Sequence, residues 1–231
     1  MVQSWNPAGI RHAFALLWQP RLALPHMVVQ DLRDIDFAQL AQAGVRGMAF
    51  DKDNCLTRPY EDHLAPELEE AWRKCRTTFP DRVLIVSNSA GTDDDVGHQQ
   101  ARRIEEALGV PVLLHHEKKP AGVDALAQQF AAIGIRSNEI AVVGDRLLTD
   151  VVYGHRAGAL TILTRRVLGT HGDNWAAKQL RRLEHRWLDW VWPGAGLYPR
   201  AARTAAAAAR RRRRLDPLPH PILRRLCKAS A

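Results

Sequence analysis

Residues 45–57 read VRGMAFDKDNCLT, an apolar run that ends in two aspartates two positions apart, Asp51 and Asp53. A short apolar run bounded by polar residues has the form of a buried strand. Four other runs share that form: RVLIVS (82–87), VPVLLH (110–115), EIAVVG (139–144) and ALTILT (159–164). Helix-length stretches lie between them at 66–77, 93–108, 121–133 and 150–157. Strands alternating with helices predict βαβ units, and so an α/β fold: a Rossmann-like parallel sheet with helices on both faces. Ligands of such sheets bind outside the carboxyl ends of the strands. Chemistry is therefore expected just after residues 50, 87, 115 and 144.

Those places hold Asp51 and Asp53, Ser87 and Asn88, Lys118 and Lys119 before Pro120, and Asp145 and Asp150 in GDRLLTD. Each residue type has a task in phosphoryl transfer. One carboxylate can attack phosphorus and form an aspartyl-phosphate. A second can protonate the leaving alkoxide and then take a proton from water. A hard cation held by carboxylate oxygens, normally Mg²⁺, offsets the repulsion between the nucleophile and a phosphate dianion. Hydroxyl, amide and ammonium groups suit the remaining phosphoryl oxygens. A calcium loop is the competing reading of DKDNCL, but Leu56 stands where its turn glycine is needed and an apolar strand, not a helix, precedes it.

The set resembles the haloacid dehalogenase superfamily of aspartate-nucleophile phosphatases. Residues 46–55 match its strand-DxDx[TV] motif, with Cys55 in place of the usual threonine or valine. The resemblance implies Asp51 as nucleophile and Asp53 as general acid/base. It aligns Ser87 with the second motif, Lys119 with the third, and Asp145 with Asp150 with the fourth. Mg²⁺ ligation would fall to Asp51, the main-chain carbonyl of Asp53, Asp145 and Asp150.

Between Thr57 and Ser87 lie 29 residues, and between Ser87 and Lys119 lie 31. Each interval holds about one helix-and-strand crossover, so no cap domain is expected and the site should be open. An open site suits a substrate too large or too anchored to enclose. A closer resemblance rests on DKDNCLT, IVSNSAG (85–91), HHEKKP (115–120) and AVVGDRLLTD (141–150). Together these look like the mitochondrial phosphatidylglycerophosphate phosphatases, over about residues 5–190. The resemblance implies removal of the terminal phosphate of phosphatidylglycerophosphate, an anionic phospholipid, to give phosphatidylglycerol on the way to cardiolipin. It also implies a peripheral enzyme on the matrix face of the mitochondrial inner membrane, with a plastid as the alternative in a photosynthetic source. Lys52, Arg58, Lys118 and Arg146 are candidates for the substrate's second phosphate by proximity to the motifs, and Asn88 for the first. A nucleic-acid end phosphatase and a non-catalytic adaptor on the same fold are the competing functions; nucleic acid is the less favoured partner.

The rest of the chain sets bounds on these readings. Its 231 residues, 46% of them hydrophobic, are enough for a sizeable core. Three cysteines are too few for a disulfide framework, and the longest charge-free apolar stretches fall short of the ~20 residues of a spanning helix. The net charge of +8 divides into +2 over residues 1–30, −3 over 31–199 and +9 over 200–231. Three segments follow: an N-terminal amphipathic segment (1–40), a phosphatase domain (41–192) and a basic, disordered tail (193–231). Ile10, Ala13, Phe14 and Leu17 form the N-terminal stripe, which fits a core helix, a membrane-surface helix or a cleaved presequence. The tail fits a solvated appendage, a contact with anionic lipid, or nucleic-acid binding. Six of the seven tryptophans lie before residue 20 or after residue 174. Around Trp187, Trp190 and Trp192 runs an Arg-rich helical pattern, with Leu180, Leu183, Trp187 and Val191 on one face. It suits either an interfacial helix or one packed on the sheet.

Overall fold

The computed structural model describes residues 19–169, 175–192 and 215–229. Five strands, β1 (Met27–Val29), β2 (Gly47–Phe50), β3 (Val83–Ile85), β4 (Ile140–Gly144) and β5 (Leu160–Thr164), form one sheet in the order β1-β5-β4-β2-β3. Every neighbouring pair is parallel, and each strand is buried along its whole length. That is why these segments read as continuous apolar runs rather than alternating ones.

The pleat sends successive residues to opposite faces. Met48, Phe50, Val83, Ile85, Ala141 and Val143 enter one core, shared with α1 (Phe37–Ala43), α2 (Glu69–Thr78) and α3 (Gln99–Leu108). Ala49, Leu84, Ile140 and Val142 enter the other, shared with α4 (Val123–Ala131) and α5 (Val152–Arg156). A third cluster joins Val28 and Leu163 to a π-helical turn at Leu147–Val151 and to α6 (Trp175–Val191). The α/β expectation is met, with helices on both faces.

Two elements differ from the sequence reading. Residues 110–115 make only a single bridge, Val112 to Ile85, beside β3. Pro111 in that run has no N–H to give to a ladder. The fifth strand is instead β1, at the opposite edge. The second difference is at the tail, where Pro221–Ala229 forms a helix, α7, packed on α1 through buried Ile222 and Leu226. Burying each of these side chains contributes roughly 1.5–3 kcal/mol. Disorder is therefore corrected for 215–229. The amphipathic pattern at 10–17 and the arginine run at 210–214 lie outside the described residues.

Candidate active site at the strand ends

Asp51 is the first residue after β2, where its N–H donates to the Val143 carbonyl at 2.8 Å. Asp145 is the first after β4. The π-helical turn that follows brings Asp150 back against the same strand end, where its Oδ2 accepts the Arg146 N–H at 3.1 Å. That return passes over Gly144. A Cβ there would sit 2.4 Å from Asp150 Cβ and Cγ, so only glycine leaves room for the carboxylate. Oxygens of Asp51, Asp145 and Asp150 all lie within 4.8 Å of one another.

Lys119 enters from the loop before α4 and is 2% exposed. Its Nζ donates to Asp51 Oδ1 and to Asp150 Oδ1, each at 2.6 Å. Asn88, from the loop after β3, fixes that lysine by its main chain: Oδ1 accepts the Lys119 N–H at 2.7 Å and Nδ2 donates to the Lys119 carbonyl at 3.4 Å. Burial disfavours the Lys119 ammonium, but Asp150 and Asp51 outweigh burial and raise its pKa. Burial pushes the Asp51 carboxyl up to about 6; Lys119 opposes this, while Asp150 and Asp53 add to it. Asp145 is driven well above the ordinary carboxylate range, chiefly by burial, against the pull of Arg181.

Three oxygen donors this close, two of them almost fully buried, are costly as bare anions and suit a hard divalent cation. An all-carboxylate set favours Mg²⁺, Mn²⁺ or Ca²⁺ over softer metals. Asp53 stands apart from this cluster at the cavity wall, with 38% of its side chain exposed. Its Oδ1 accepts the Tyr60 N–H at 3.1 Å.

The cavity over these groups holds about 180 Å³ and is lined by Asp51, Asp53, Asn88, Lys119, Asp145, Arg146 and Asp150, among others. Ser87 does not line it. Its buried Oγ accepts the Ser89 and Ala90 N–H groups at 3.2 and 3.3 Å, and Ser89 lines the cavity instead.

Of the five side chains expected at the substrate, Asn88 and Arg146 line the cavity and three do not. Lys52 turns inward, 1% exposed, and its Nζ donates to the Glu61 carbonyl at 2.8 Å beside Asp53 at 2.9 Å. Lys118 pairs with Asp94, and Arg58 lies exposed outside the lining.

One cation was not legible in the sequence. Arg181 of α6 lines the cavity with Nε 2.6 Å from Asp145 Oδ2. One turn on, Glu184 Oε2 accepts the Leu147 N–H at 2.9 Å, so α6 is bonded to the loop that carries Asp145. Its Arg-rich periodicity marks a helix, but nothing in the spacing marks these two residues as pointing into the site.

Residues 8–169 match the family model described as mitochondrial PGP phosphatase. The chain is 38% identical over 201 residues to phosphatidylglycerophosphate phosphatase 1, chloroplastic, of Chlamydomonas reinhardtii, covering 86% of this chain and 73% of that one. It is 39% identical to the chloroplastic/mitochondrial phosphatidylglycerophosphate phosphatase 1 of Arabidopsis thaliana, covering 80% of this chain and 54% of that one. To the mitochondrial phosphatidylglycerophosphatase GEP4 of Saccharomyces cerevisiae it is 32% identical, covering 69% and 87%. No solved structure matches the chain significantly.

Proposed function

The chain belongs to the mitochondrial phosphatidylglycerophosphate phosphatase family, and from that premise we propose that it hydrolyses the terminal phosphate of phosphatidylglycerophosphate with Asp51 as nucleophile. The observation that carries the proposal is Asp51, Asp145, Asp150 and Lys119 gathered in one cavity, with Asp53 at its wall. An Asp51 oxygen attacks phosphorus, the P–O bond to glycerol breaks, and Asp53 gives the leaving alkoxide its proton. Asp53 then takes a proton from the water that cleaves the aspartyl-phosphate, returning Asp51 and free phosphate. Lys119 holds Asp51 in place through Oδ1 and balances charge beside the transferring group. Asp51, Asp145 and Asp150, with the main-chain carbonyl of Asp53, would hold Mg²⁺, which when bound supplies positive charge against the phosphoryl oxygens.

Ligand pockets that enclose drug-sized molecules run to ~300–1,000 Å³. A cavity of about 180 Å³ takes a phosphorylated glycerol headgroup and leaves acyl chains outside. Among the described residues no helix is long and apolar enough to cross a membrane. The reading is therefore of an enzyme that meets its lipid from the bilayer surface: the matrix face of the mitochondrial inner membrane, or its counterpart in a plastid.

The test is phosphate release from phosphatidylglycerophosphate with Mg²⁺, set against a 3′-phosphorylated oligonucleotide and soluble phosphomonoesters. Preference for the lipid, and its loss in Asp51→Asn with an unchanged circular dichroism spectrum, is the expected result. Substantial residual turnover by Asp51→Asn would falsify the mechanism, and preference for the oligonucleotide would overturn the substrate.

A further inference from the structure

Among the described residues, the apolar arc of α6 extends beyond the surface on which its inner side packs. Along its inner side Leu188 and Trp192 are buried against Val28, Leu147, Val151 and Leu163, Val191 is buried as well, and Arg181 and Glu184 reach the loop at Asp145. On the flank beside that buried seam stand Leu180 (38% exposed), Leu183 (61%), half-buried Trp187 and Trp190 (57%). Positions 180, 183, 187 and 190 recur at helical spacing and make one stripe along 17 residues of helix. Next to the stripe the helix carries exposed Arg186, three residues after Leu183 and four before Trp190, with exposed Arg182 one turn before it. Its two acids are engaged elsewhere: Asp189 takes both Nη atoms of Arg165 at 2.9 Å, and Glu184 is buried.

We infer that this flank of α6 is the surface by which the protein docks on an anionic lipid bilayer, the stripe entering the headgroup–acyl boundary and the arginines meeting lipid phosphates. Charge decides the occupant. An apolar stripe bordered by cations, with its acids withdrawn, is matched by a bilayer that offers hydrocarbon beneath a layer of negative charge. Tryptophan is the side chain favoured at that depth. Position agrees, because Arg181, next to Leu180 on the same helix, lines the cavity. A bilayer resting on the stripe would lie beside the opening through which a headgroup enters. The inference rests on the lipid reading of the site for its biological sense, but its physical content, binding to a charged bilayer, can be measured without turnover.

The experiment uses the full chain, sedimented with vesicles of phosphatidylcholine mixed with equal phosphatidylglycerol, and with phosphatidylcholine alone. Wild type should sediment with the anionic vesicles and less with the neutral ones. The double variant Leu183→Glu, Trp190→Glu should lose at least about tenfold in partitioning, and Arg182→Glu with Arg186→Glu should abolish the preference for anionic vesicles. Both pairs are exposed, so melting temperatures should stay unchanged, as should kcat on a water-soluble short-chain phosphatidylglycerophosphate. Hydrolysis of the same headgroup embedded in vesicles should fall in parallel with binding. Wild-type partitioning by Leu183→Glu, Trp190→Glu, or no partitioning by the wild type, overturns the inference. So does light scattering that shows a wild-type dimer broken by this pair while vesicle binding persists, which would make a second copy the occupant. Failure of the wild type to hydrolyse the short-chain lipid is a separate outcome, and it refutes the proposed substrate rather than the docking surface.

Discussion

Lys119 holds two carboxylates at 2.6 Å from one nitrogen, inside the protein. Removing one partner from a buried ionic cluster leaves charge uncompensated and costs about 3–5 kcal/mol. Lys119→Met should therefore lose roughly that much stability in metal-free buffer, read by urea unfolding, and at least about 100-fold in kcat. A variant as stable and active as wild type would remove Lys119 from the site. At this scale the sequence was most informative where a residue follows directly on a strand: Asp51 and Asp145 continue β2 and β4, so their placement comes with the sheet. It was least informative inside loops. No periodicity says which way a loop side chain points, and Lys52 turned inward while Ser89, rather than Ser87, took the cavity wall.

A cluster of three imidazole rings, His26 and His220 buried and His155 half-buried, joins β5 to the two ends of the described chain. His26, just before β1, lies 4.5 Å from His155 and 5.1 Å from His220, centroid to centroid. His26 Nδ1 accepts the Thr161 N–H at 3.0 Å, so the ring is neutral. Burial, then His155 and His220, hold its pKa at about 3, against 6.5 in an unfolded chain. With the folded value depressed, the unfolded chain binds the proton first. This contribution to stability is complete above about pH 6.5 and is lost as pH falls, by about 2 kcal/mol at pH 5. Asp51, raised to about 6, titrates in the opposite sense, so a difference measurement is needed. His26→Asn keeps an acceptor for Thr161 without the titration, and the stability gap between wild type and variant should shrink by about 2 kcal/mol from pH 7 to pH 5. A gap that is constant with pH would count against the neutral cluster.

Strands were legible where a longer apolar run surrounds them: RVLIVS carries β3, and EIAVVG and ALTILT carry β4 and β5, whereas the three residues of β1 stand between Pro25–His26 and Gln30. Helix α7 was hidden by averaging: the tail's arginine and alanine content masked the pair Ile222 and Leu226, which does have helical spacing.

Taken whole, the molecule gathers acids at one rim of its sheet and cations on a helix beside it. A divalent ion that binds only the folded chain stabilises it by mass action, about 2.7 kcal/mol at a concentration a hundredfold above Kd. Mg²⁺ should therefore raise the melting temperature and a chelator reverse the rise, with Asp145→Asn blunting both. A melting temperature indifferent to Mg²⁺ across its activating range would disconnect the carboxylates from the metal. The architecture and the four converging loops could be read from the chain because each lies on the alternation of strand and helix. The contribution of α6 could not, because a tertiary contact 36 residues beyond Asp145 leaves no trace in local pattern.

Gly144 bears no chemistry, yet a methyl group there would collide with Asp150. In a related chain, then, an intact set of acids is a weak certificate of activity. Alanine or anything larger at this place would displace a carboxylate that an alignment still counts as present.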